Sequence, residues 1–262
     1  MRISVFQSAG GGLSPQQRLD RLATAMSQQA LDLVVCPELF MSGYNVGESL
    51  VELAEPQSGA FAQQVAKLAI SCGSAILYGY PERDGDRIFN SALCIDKRGE
   101  IIANHRKLLL PPGFESDHFE YGSGLTLFNL NGVCCAILIC YDAEFPEAVR
   151  AVVKAGASLV CVPTALTEEW GSVAFNMMPT RAFENGTWLA YANHAGSENG
   201  VNYFGASCIV APDGKDSVRA GSDEMLIIAE YSSEHVAAAR TRLPYHENIK
   251  RLHKAMSKVL KS

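Results

Sequence analysis

Apolar and polar residues alternate along the chain with two periods. RISVFQS, near the start, is a short apolar run typical of a strand, and a helical pattern follows it. There, apolar residues recur every three or four positions behind Ser14 as a helix cap and Pro15 at the first helical position. GAFAQQVAKLAISCG and FPEAVRAVVKAGA repeat the helical pattern, with strand-like runs between them. This alternation of strands and helices predicts an α/β fold.

Turn residues predict how some of the strands pair. LTLFNL and VCCAILICYD are strand-like runs separated by Asn131 and Gly132, a pair that favours a tight hairpin. The other expected elements are a strand pair RIFNSALCID and EIIANHRK about residues 97–99, a buried strand SLVCVPTA, a helix around residues 175–185, a strand WLAYANHAG, a late strand pair GASCIVAPDGK and EMLIIAEYS, and helices EHVAAARTRL and IKRLHKAMSKVLK.

The chain shows no linker, low-complexity tract or break in composition. We therefore expect one domain over residues 1–245, followed by a helical tail over residues 246–262. The tail is amphipathic and basic, so it either crosses to a partner subunit or forms a solvated end.

The composition argues against several classes of function. The net charge is −6 and no long basic run occurs, so we expect no nucleic-acid partner. No apolar stretch reaches the roughly 18 residues of a membrane-spanning helix. The apolar part of the first segment is too short for a signal peptide. These patterns predict a cytoplasmic protein without a membrane partner.

The eight cysteines contain no CxxC pair and no spacing expected of a zinc site. Most lie within apolar runs, where a free cysteine packs as a small hydrophobic residue. A disulfide framework is not expected in a cytoplasmic chain of this size. A catalytic role for any one cysteine must therefore rest on its surroundings.

Three apolar runs end abruptly in a chemically reactive side chain. Glu38 follows LVVCP, Lys107 follows IIANHR, and Cys140 follows AILI. Ligands of open α/β sheets bind beyond the ends of strands, so we expect these three side chains to act together. Taken singly, each has a plainer interpretation: a loop acid, a solvated surface lysine and a core cysteine.

The three residue types suit nucleophilic catalysis. A thiol attacks efficiently only as a thiolate, and a free cysteine titrates near pH 8.5. Glu38 can accept the thiol proton and later activate water, while Lys107 and the backbone N–H of Tyr141 can hold the developing oxyanion. A dyad of the cysteine with His105 or His194 is an alternative that adds nothing the glutamate and lysine lack.

The sequence around each of these residues forms a distinct signature. The signatures are CPELFMSGYN around Glu38, HRKLLLP around Lys107 and ICYDAEFPE around Cys140, with gaps of 69 and 33 positions. Further pieces are YGYPER, VPTA, RAFENG, AYANHAG and GASCIVAPDG. With these motifs, residues 1 to about 245 resemble the nitrilase superfamily, the carbon–nitrogen hydrolases.

This resemblance implies a four-layer αββα sandwich with a Glu-Lys-Cys triad. Glu38 would be the general base, Lys107 the oxyanion lysine and Cys140 the nucleophile that forms a thioester. Many members carry a second glutamate after the lysine. Glu115 matches that pattern, and Glu120 is the competing candidate. The resemblance implies no metal and no organic cofactor.

The residues after the cysteine bear on the substrate. Cys-Tyr-Asp departs from the Cys-Trp-Glu of true nitrilases, and the surrounding motifs resemble bacterial aliphatic amidases of the 5-aminopentanamidase type. The resemblance thus implies hydrolysis of a small aliphatic amide to the acid and ammonia. N-carbamoyl amidase, omega-amidase or nitrilase activity, acyl transfer, and a non-catalytic binding role are the alternatives.

Segments beyond the strand ends are expected to line the substrate pocket. The candidates are Phe40, Tyr44, Thr164, Ala165 and Trp170. The acids Asp117, Glu168 and Glu169 either meet an ammonium group of the substrate or face solvent. We expect Asn193 and Glu144 to fix backbone near the site, and Arg150 to pair with an acid or lie at a subunit contact. The resemblance also implies a homodimer.

Overall fold

The computed structural model describes residues 1–256, apart from the side chain of His246. Its strands are β1 (Arg2–Ala9), β2 (Leu33–Val35), β3 (Ala75–Asp84), β4 (Arg87–Ile95), β5 (Ile101–Arg106), β6 (Thr126–Leu130), β7 (Val133–Ile137), β8 (Leu159–Pro163), β9 (Trp188–Ala192), β10 (His194–Glu198), β11 (Val201–Phe204), β12 (Cys208–Val210), β13 (Asp216–Arg219) and β14 (Met225–Glu230). Its α-helices are α1 (Pro15–Met26), α2 (Ser49–Leu53), α3 (Ala60–Cys72), α4 (Phe114–His118), α5 (Tyr141–Glu144), α6 (Pro146–Lys154), α7 (Met178–Asn185), α8 (Ser233–Arg242) and α9 (Tyr245–Met256).

The strands form two sheets. The first has the order β11-β10-β1-β2-β3-β4-β5, and β14 also pairs with β1. The second has the order β13-β12-β9-β8-β7-β6. Strands β1, β2 and β3 are parallel, and β5 runs in their direction because two antiparallel pairings separate it from β3. The carboxyl ends of β2 and β5 therefore lie at the same edge of the first sheet.

Three apolar cores separate four layers. The core between the sheets takes side chains from both of them, including Ile3, Val5, Leu33, Leu77, Ile137, Leu159, Trp188 and Ile209. On the outer face of the first sheet α1 and α3 bury Leu22, Met26, Phe61 and Val65. On the outer face of the second sheet α6 and α7 bury Val149, Val152, Met178 and Ala182. The expected αββα sandwich is confirmed.

The first helix begins as its sequence predicts. Ser14 Oγ accepts a hydrogen bond from Gln17 N–H (3.3 Å), and the Gln17 side chain accepts from Ser14 N–H (2.9 Å). This capping box and Pro15 at the first helical position satisfy or remove N–H groups that would otherwise lack partners. Helix α3 likewise ends at Gly73, whose φ of 63° suits glycine.

Two expectations about the later strands were wrong. WLAYANHAG does not form one strand, because the chain leaves the second sheet at Asn193 and enters the first, giving β9 and β10. GASCIVAPDGK does not pair with EMLIIAEYS. Instead β12 pairs with β13 and β9, and β14 pairs with β1. An apolar run specifies a strand, but the tertiary fold selects its partner. The short elements α2, α4, α5, β11 and β13 were also missed, and the strand expected at VCCAILICYD ends at Ile137, before Cys140 and α5.

The C-terminal helices α8 and α9 agree with the expected helices as far as residue 256, and the rest of the tail lies outside the described residues. Tyr245 of α9 packs against Phe183 of α7, with ring centroids 6.2 Å apart. Within residues 1–256, no helix is both long and apolar enough to cross a bilayer.

Candidate active site

The buried ammonium of Lys107 joins two carboxylates. Lys107 follows β5, and its Nζ donates to Glu38 Oε1 at 2.7 Å and to both carboxylate oxygens of Glu115 at 2.7 and 2.6 Å. All three side chains are buried. Glu120, the competing candidate for the second acid, is exposed. The structure thus brings Glu38, Lys107 and Glu115 together.

The backbone presents Cys140 at a sharp turn between β7 and α5. Cys140 has φ 46° and ψ −105°, a conformation that is unusual for a residue with a side chain. Its N–H donates to Pro163 O at 2.8 Å, which ties the turn to the end of β8. Its thiol lines a cavity and interacts electrostatically with Glu38 and Lys107. Such strain is often found where a fold positions a reactive group.

Close backbone approach positions Glu38. A side chain at Gly79 of β3 would meet Leu39 N at 2.3 Å, so only glycine lets this loop lie against the strand. The Glu38 carbonyl accepts a hydrogen bond from His194 Nε2 at 2.7 Å. Burial, and then the charge of Arg18, lower the pKa of His194 to about 4, so the ring is neutral at neutral pH.

Two further side chains hold the carboxylates, and sequence analysis missed one of them. Asn90 Nδ2 donates to Glu38 Oε1 (2.7 Å) and Glu115 Oε2 (3.1 Å). The Tyr44 hydroxyl donates to Glu115 Oε1 at 2.7 Å. Glu38 Oε2 has no hydrogen-bond partner among the described residues. One oxygen of Glu38 is therefore fixed and the other is available to accept a proton.

Burial and charge set the protonation states. Burial raises the pKa of Glu38 to about 7, against the opposing effect of Lys107. Burial and the charge of Glu38 raise the pKa of the Cys140 thiol well above its usual value, although Lys107 lowers it. Burial alone would lower the pKa of Lys107, but the neighbouring negative charges outweigh it and raise that pKa. The resting site therefore contains a neutral thiol rather than a preformed thiolate.

The thiol opens onto a cavity of about 350 Å³. Its lining residues are Tyr44, Pro111, Pro112, Phe114, Glu115, Cys140, Tyr141, Glu144, Ala165, Leu166, Thr167, Trp170 and Val201. Of the expected pocket residues, Tyr44, Ala165 and Trp170 line it. Thr164 is buried beside the thiol, and its side-chain contact lowers the pKa of Cys140. Phe40 does not line the cavity, because its ring packs in the core under α1 and α3.

The charged residues near the cavity differ from the expected set. Asp117, Glu168 and Glu169 are exposed and do not line it. Glu144, expected to support backbone, lines the cavity instead. Asn193 does fix backbone, since its side chain accepts from Leu166 N–H and donates to Leu166 O.

Arg150 pairs with Glu184 at 3.1 Å, as one of its two expected roles required. No group of three or more His, Cys, Asp or Glu side chains suited to a metal ion occurs in the described part of the chain.

Comparison with known proteins identifies the family. A family model for carbon-nitrogen hydrolases matches residues 15–241. The chain belongs to the carbon–nitrogen hydrolase family. Among its relatives, the "Hydrolase in pqqF 5'region" of Pseudomonas protegens is 42% identical over 244 residues, covering 92% of this chain and 86% of that protein. An (R)-stereoselective amidase of Pseudomonas sp is 32% identical over 248 residues, covering 94% and 90%.

Solved amidase structures share the fold. The crystal structure of an amidase from Nesterenkonia sp. superposes with a TM-score of 0.84 at 34% identity, covering 95% of both chains. A mutant of the amidase from Nesterenkonia sp. AN1 in complex with butyramide gives a TM-score of 0.83 at 33% identity, covering 95% of this chain and 96% of that one. The protein is thus an enzyme of the carbon–nitrogen hydrolase family whose structural neighbours are amidases.

In this carbon–nitrogen hydrolase, Asp142 links the turn at Cys140 to the loop that follows Lys107. Its carboxylate accepts N–H bonds from Leu108 (3.1 Å), Leu109 (2.9 Å) and Ile139 (3.2 Å). It also contacts His105 Nε2 at 3.3 Å. The Asp of Cys-Tyr-Asp therefore fixes the backbone around Cys140 relative to the backbone after Lys107, a role that sequence analysis did not assign.

A second buried network holds the loop that carries Tyr44. Arg18 Nη2 lies 2.6 Å from Glu198 Oε1, and both side chains are buried. Glu198 Oε2 accepts from the N–H groups of Tyr44 (2.9 Å) and Asn45 (3.0 Å) and from the Tyr203 hydroxyl (3.0 Å). The ion pair between Arg18 and Glu198, which are distant from each other in the sequence, thus positions Tyr44, the tyrosine that contacts Glu115.

Proposed function

We propose that this enzyme hydrolyses a small aliphatic carboxamide to the carboxylic acid and ammonia through a thioester on Cys140. The observation that carries the proposal is that Cys140 and Glu115 line one small cavity, while the buried Lys107 ammonium, hydrogen-bonded to Glu115, and Glu38, with one free oxygen, both act electrostatically on the Cys140 thiol. A volume of about 350 Å³ lies at the low end of the range for small-molecule sites, roughly 300–1,000 Å³.

Acylation begins when Cys140 Sγ attacks the amide carbon. As the C–S bond forms, the thiol proton moves to Glu38, which suits a thiol whose pKa is raised rather than lowered. Lys107 Nζ and the N–H of Tyr141 stabilise the oxyanion. Tyr141 is the first residue of α5, so its N–H has no acceptor within that helix. Glu38 then returns the proton to the amide nitrogen, the C–N bond breaks, and ammonia leaves a thioester.

Deacylation repeats the same proton transfers with water. Glu38 accepts a proton as water attacks the thioester carbon, and the same two donors hold the second oxyanion. The C–S bond breaks, the sulfur regains the proton, and the acid is released. Glu115, with Asn90 and Tyr44, keeps Lys107 and Glu38 oriented through both steps.

The relatives support an amide as the substrate. They include an (R)-stereoselective amidase, a Bacillus subtilis 2-oxoglutaramate amidase and the omega-amidase NIT2 of Danio rerio. A related Nesterenkonia amidase carries a Michael adduct of acrylamide at its active-site cysteine. Omega-amidase, N-carbamoyl amidase, nitrilase and acyl-transfer activity stay as alternatives that one substrate panel separates.

The test is ammonia release from hexanamide, 5-aminopentanamide, 2-oxoglutaramate, an N-carbamoyl amine and pentanenitrile, with and without hydroxylamine. We expect ammonia and acid from an amide, and the hydroxamate of the same acyl group when hydroxylamine competes with water for the thioester. If ammonia is released but neither a hydroxamate nor an acylated Cys140 peptide is detected, the covalent route is contradicted. Release from the nitrile or carbamoyl compound alone would replace the amidase proposal with the corresponding alternative.

The dependence of kcat/KM on pH should follow the ionisation of Glu38. Burial raises its pKa to about 7, and only the ionised carboxylate can accept the thiol proton. Lowering the pH through 7 protonates Glu38, so kcat/KM should fall about tenfold per unit below that value and level off above it. A neutral amide such as hexanamide is the substrate to use, because it does not titrate in this range. A flat profile from pH 5 to 7 would show that a group of ordinary pKa is the base.

A further inference from the structure

The cavity, together with the buried groups hydrogen-bonded to its lining, contains more acidic than basic side chains. Glu38, Glu115 and Glu144 supply three carboxylates, and Lys107 supplies one ammonium that is already hydrogen-bonded to two of them. None of the described residues that line the cavity is a lysine, arginine or histidine. A substrate with its own negative charge would therefore meet repulsion without a partner.

Glu144 is the carboxylate without an assigned role. It is half-buried, ends α5 one turn after Cys140, and its carboxylate has no hydrogen bond or ion pair with any described residue. Two cations act on this carboxylate through space, and both are bound elsewhere. Lys107 donates to Glu38 and Glu115, while Arg181 donates to the backbone carbonyls of Ala143 and Glu144 and pairs with Glu184 at 3.3 Å. Removing a charge from water costs free energy unless the charge is paired, so a cation on the ligand would offset that cost for the half-buried Glu144.

Aromatic rings surround the same space. Tyr44, Phe114, Tyr141 and Trp170 line the cavity. Tyr44 and Phe114 pack with ring centroids 5.6 Å apart, and the side chain of Trp170 is 57% exposed. Aromatic faces attract organic cations, tryptophan most strongly. The rings and the carboxylate therefore favour the same kind of ligand.

From this geometry we propose that the substrate is an amide whose acyl chain carries a positively charged amine, and that Glu144 is the residue that selects it. The proposal rests on the proposed amidase function of the same cavity. The carboxamide would lie at Cys140 while the ammonium contacts Glu144 and the aromatic rings. Amides that end in a carboxylate, such as 2-oxoglutaramate, would be disfavoured by the same charges.

The test compares two amides of equal length. 5-Aminopentanamide and hexanamide differ chiefly in an ammonium in place of a methyl group. In the wild-type enzyme we expect kcat/KM for the amine to exceed that for hexanamide by about ten- to a hundredfold, the size of one charged hydrogen bond. Glu144→Gln should bring this ratio close to one, mainly through KM. Glu169→Gln, a nearby exposed acid that does not line the cavity, should leave the ratio unchanged.

Charge reversal gives a second, independent readout. Glu144→Arg should shift the preference from 5-aminopentanamide towards glutaramate, the monoamide of glutaric acid. Equal kcat/KM values of the wild-type enzyme for hexanamide and 5-aminopentanamide would overturn the proposal. An equal loss on both amides in Glu144→Gln would also overturn it, because that result assigns Glu144 to positioning the reactive groups.

Binding separates this proposal from the amidase proposal. Dissociation constants for both amides are measured by calorimetry with Cys140→Ala and with Cys140→Ala/Glu144→Gln. Selective binding of the amine that depends on Glu144 would support the inference even if the wild type released no ammonia, a result that would refute the amidase proposal alone. Ammonia release without any charge preference in rate or binding would refute the inference alone.

Discussion

Replacing Cys140 by alanine is expected to reduce ammonia release by roughly 10⁵- to 10⁶-fold. The change removes the sulfur that forms the thioester and leaves Glu38, Lys107 and the Tyr141 N–H in place. Those groups can still polarise a bound amide, but water would have to attack an amide directly rather than a thioester. The measurement is steady-state ammonia release at pH 8, with acyl-enzyme on the Cys140 peptide followed by mass spectrometry.

The fold of this variant should be retained. Cys140 is only 6% exposed, but its side chain contributes a single heavy atom beyond Cβ, so we expect a loss of about 1 kcal/mol in the free energy of unfolding. The matched control is Cys161→Ala. Cys161 is also buried (0% exposed), lies in β8 in the core between the sheets, and does not line the cavity. Full activity in Cys140→Ala, or a comparable loss in Cys161→Ala, would refute the nucleophile assignment.

Replacing Lys107 by methionine is expected to affect both rate and stability. Loss of one oxyanion donor typically costs about 10²- to 10³-fold in kcat, and the loss here should be at least that large because Lys107 also orients Glu38. Breaking a buried ion pair by removing one partner typically costs about 3–5 kcal/mol. Here the change leaves the buried Glu38 and Glu115 sharing Asn90 without a counter-charge. From sequence alone, we would have expected mainly the rate to suffer.

The loss of stability should depend on pH. The pKa of Glu38 is already raised to about 7, and removing Lys107 takes away an effect that lowers it. The folded variant then binds a proton that the unfolded chain releases, so its stability should be greatest near pH 5 and fall as the pH rises through 7. Thermal unfolding at pH 5 and pH 8 measures this difference. A variant equally stable at both would argue against the buried carboxylate pair.

A double variant separates the two roles. Lys107→Met/Glu115→Gln removes one of the two facing charges and should recover much of the lost stability without recovering activity. Lys154→Met, at an exposed lysine that ends α6, is the control and should change neither quantity. Recovery of activity in the double variant would mean that Lys107 serves only to neutralise charge.

Local sequence predicted most strands, most helices and the residues at the strand ends. The spacing of hydrophobic residues indicates which face of a helix or strand is buried. Cap and turn residues act within a few positions, so Ser14, Asn131 and Gly132 were informative. The same locality explains the errors: β10 and β14 read as strands, but their partner is β1, far away in the chain.

The sequence by itself determined an α/β fold and, through the resemblance of its ordered motifs to the nitrilase superfamily, the αββα architecture; it also singled out Glu38, Lys107 and Cys140 as the candidate trio at the ends of three apolar runs. Only the tertiary structure decided that Asn90, Asp142 and the Arg18–Glu198 pair support that trio, since each acts through neighbours distant in sequence. It also placed Phe40 in the core and Glu144 in the cavity, and it buried Cys140 beside Glu38, which raises the pKa of the thiol. Burial and electrostatic fields are properties of the assembled fold, and no local pattern of residues encodes them.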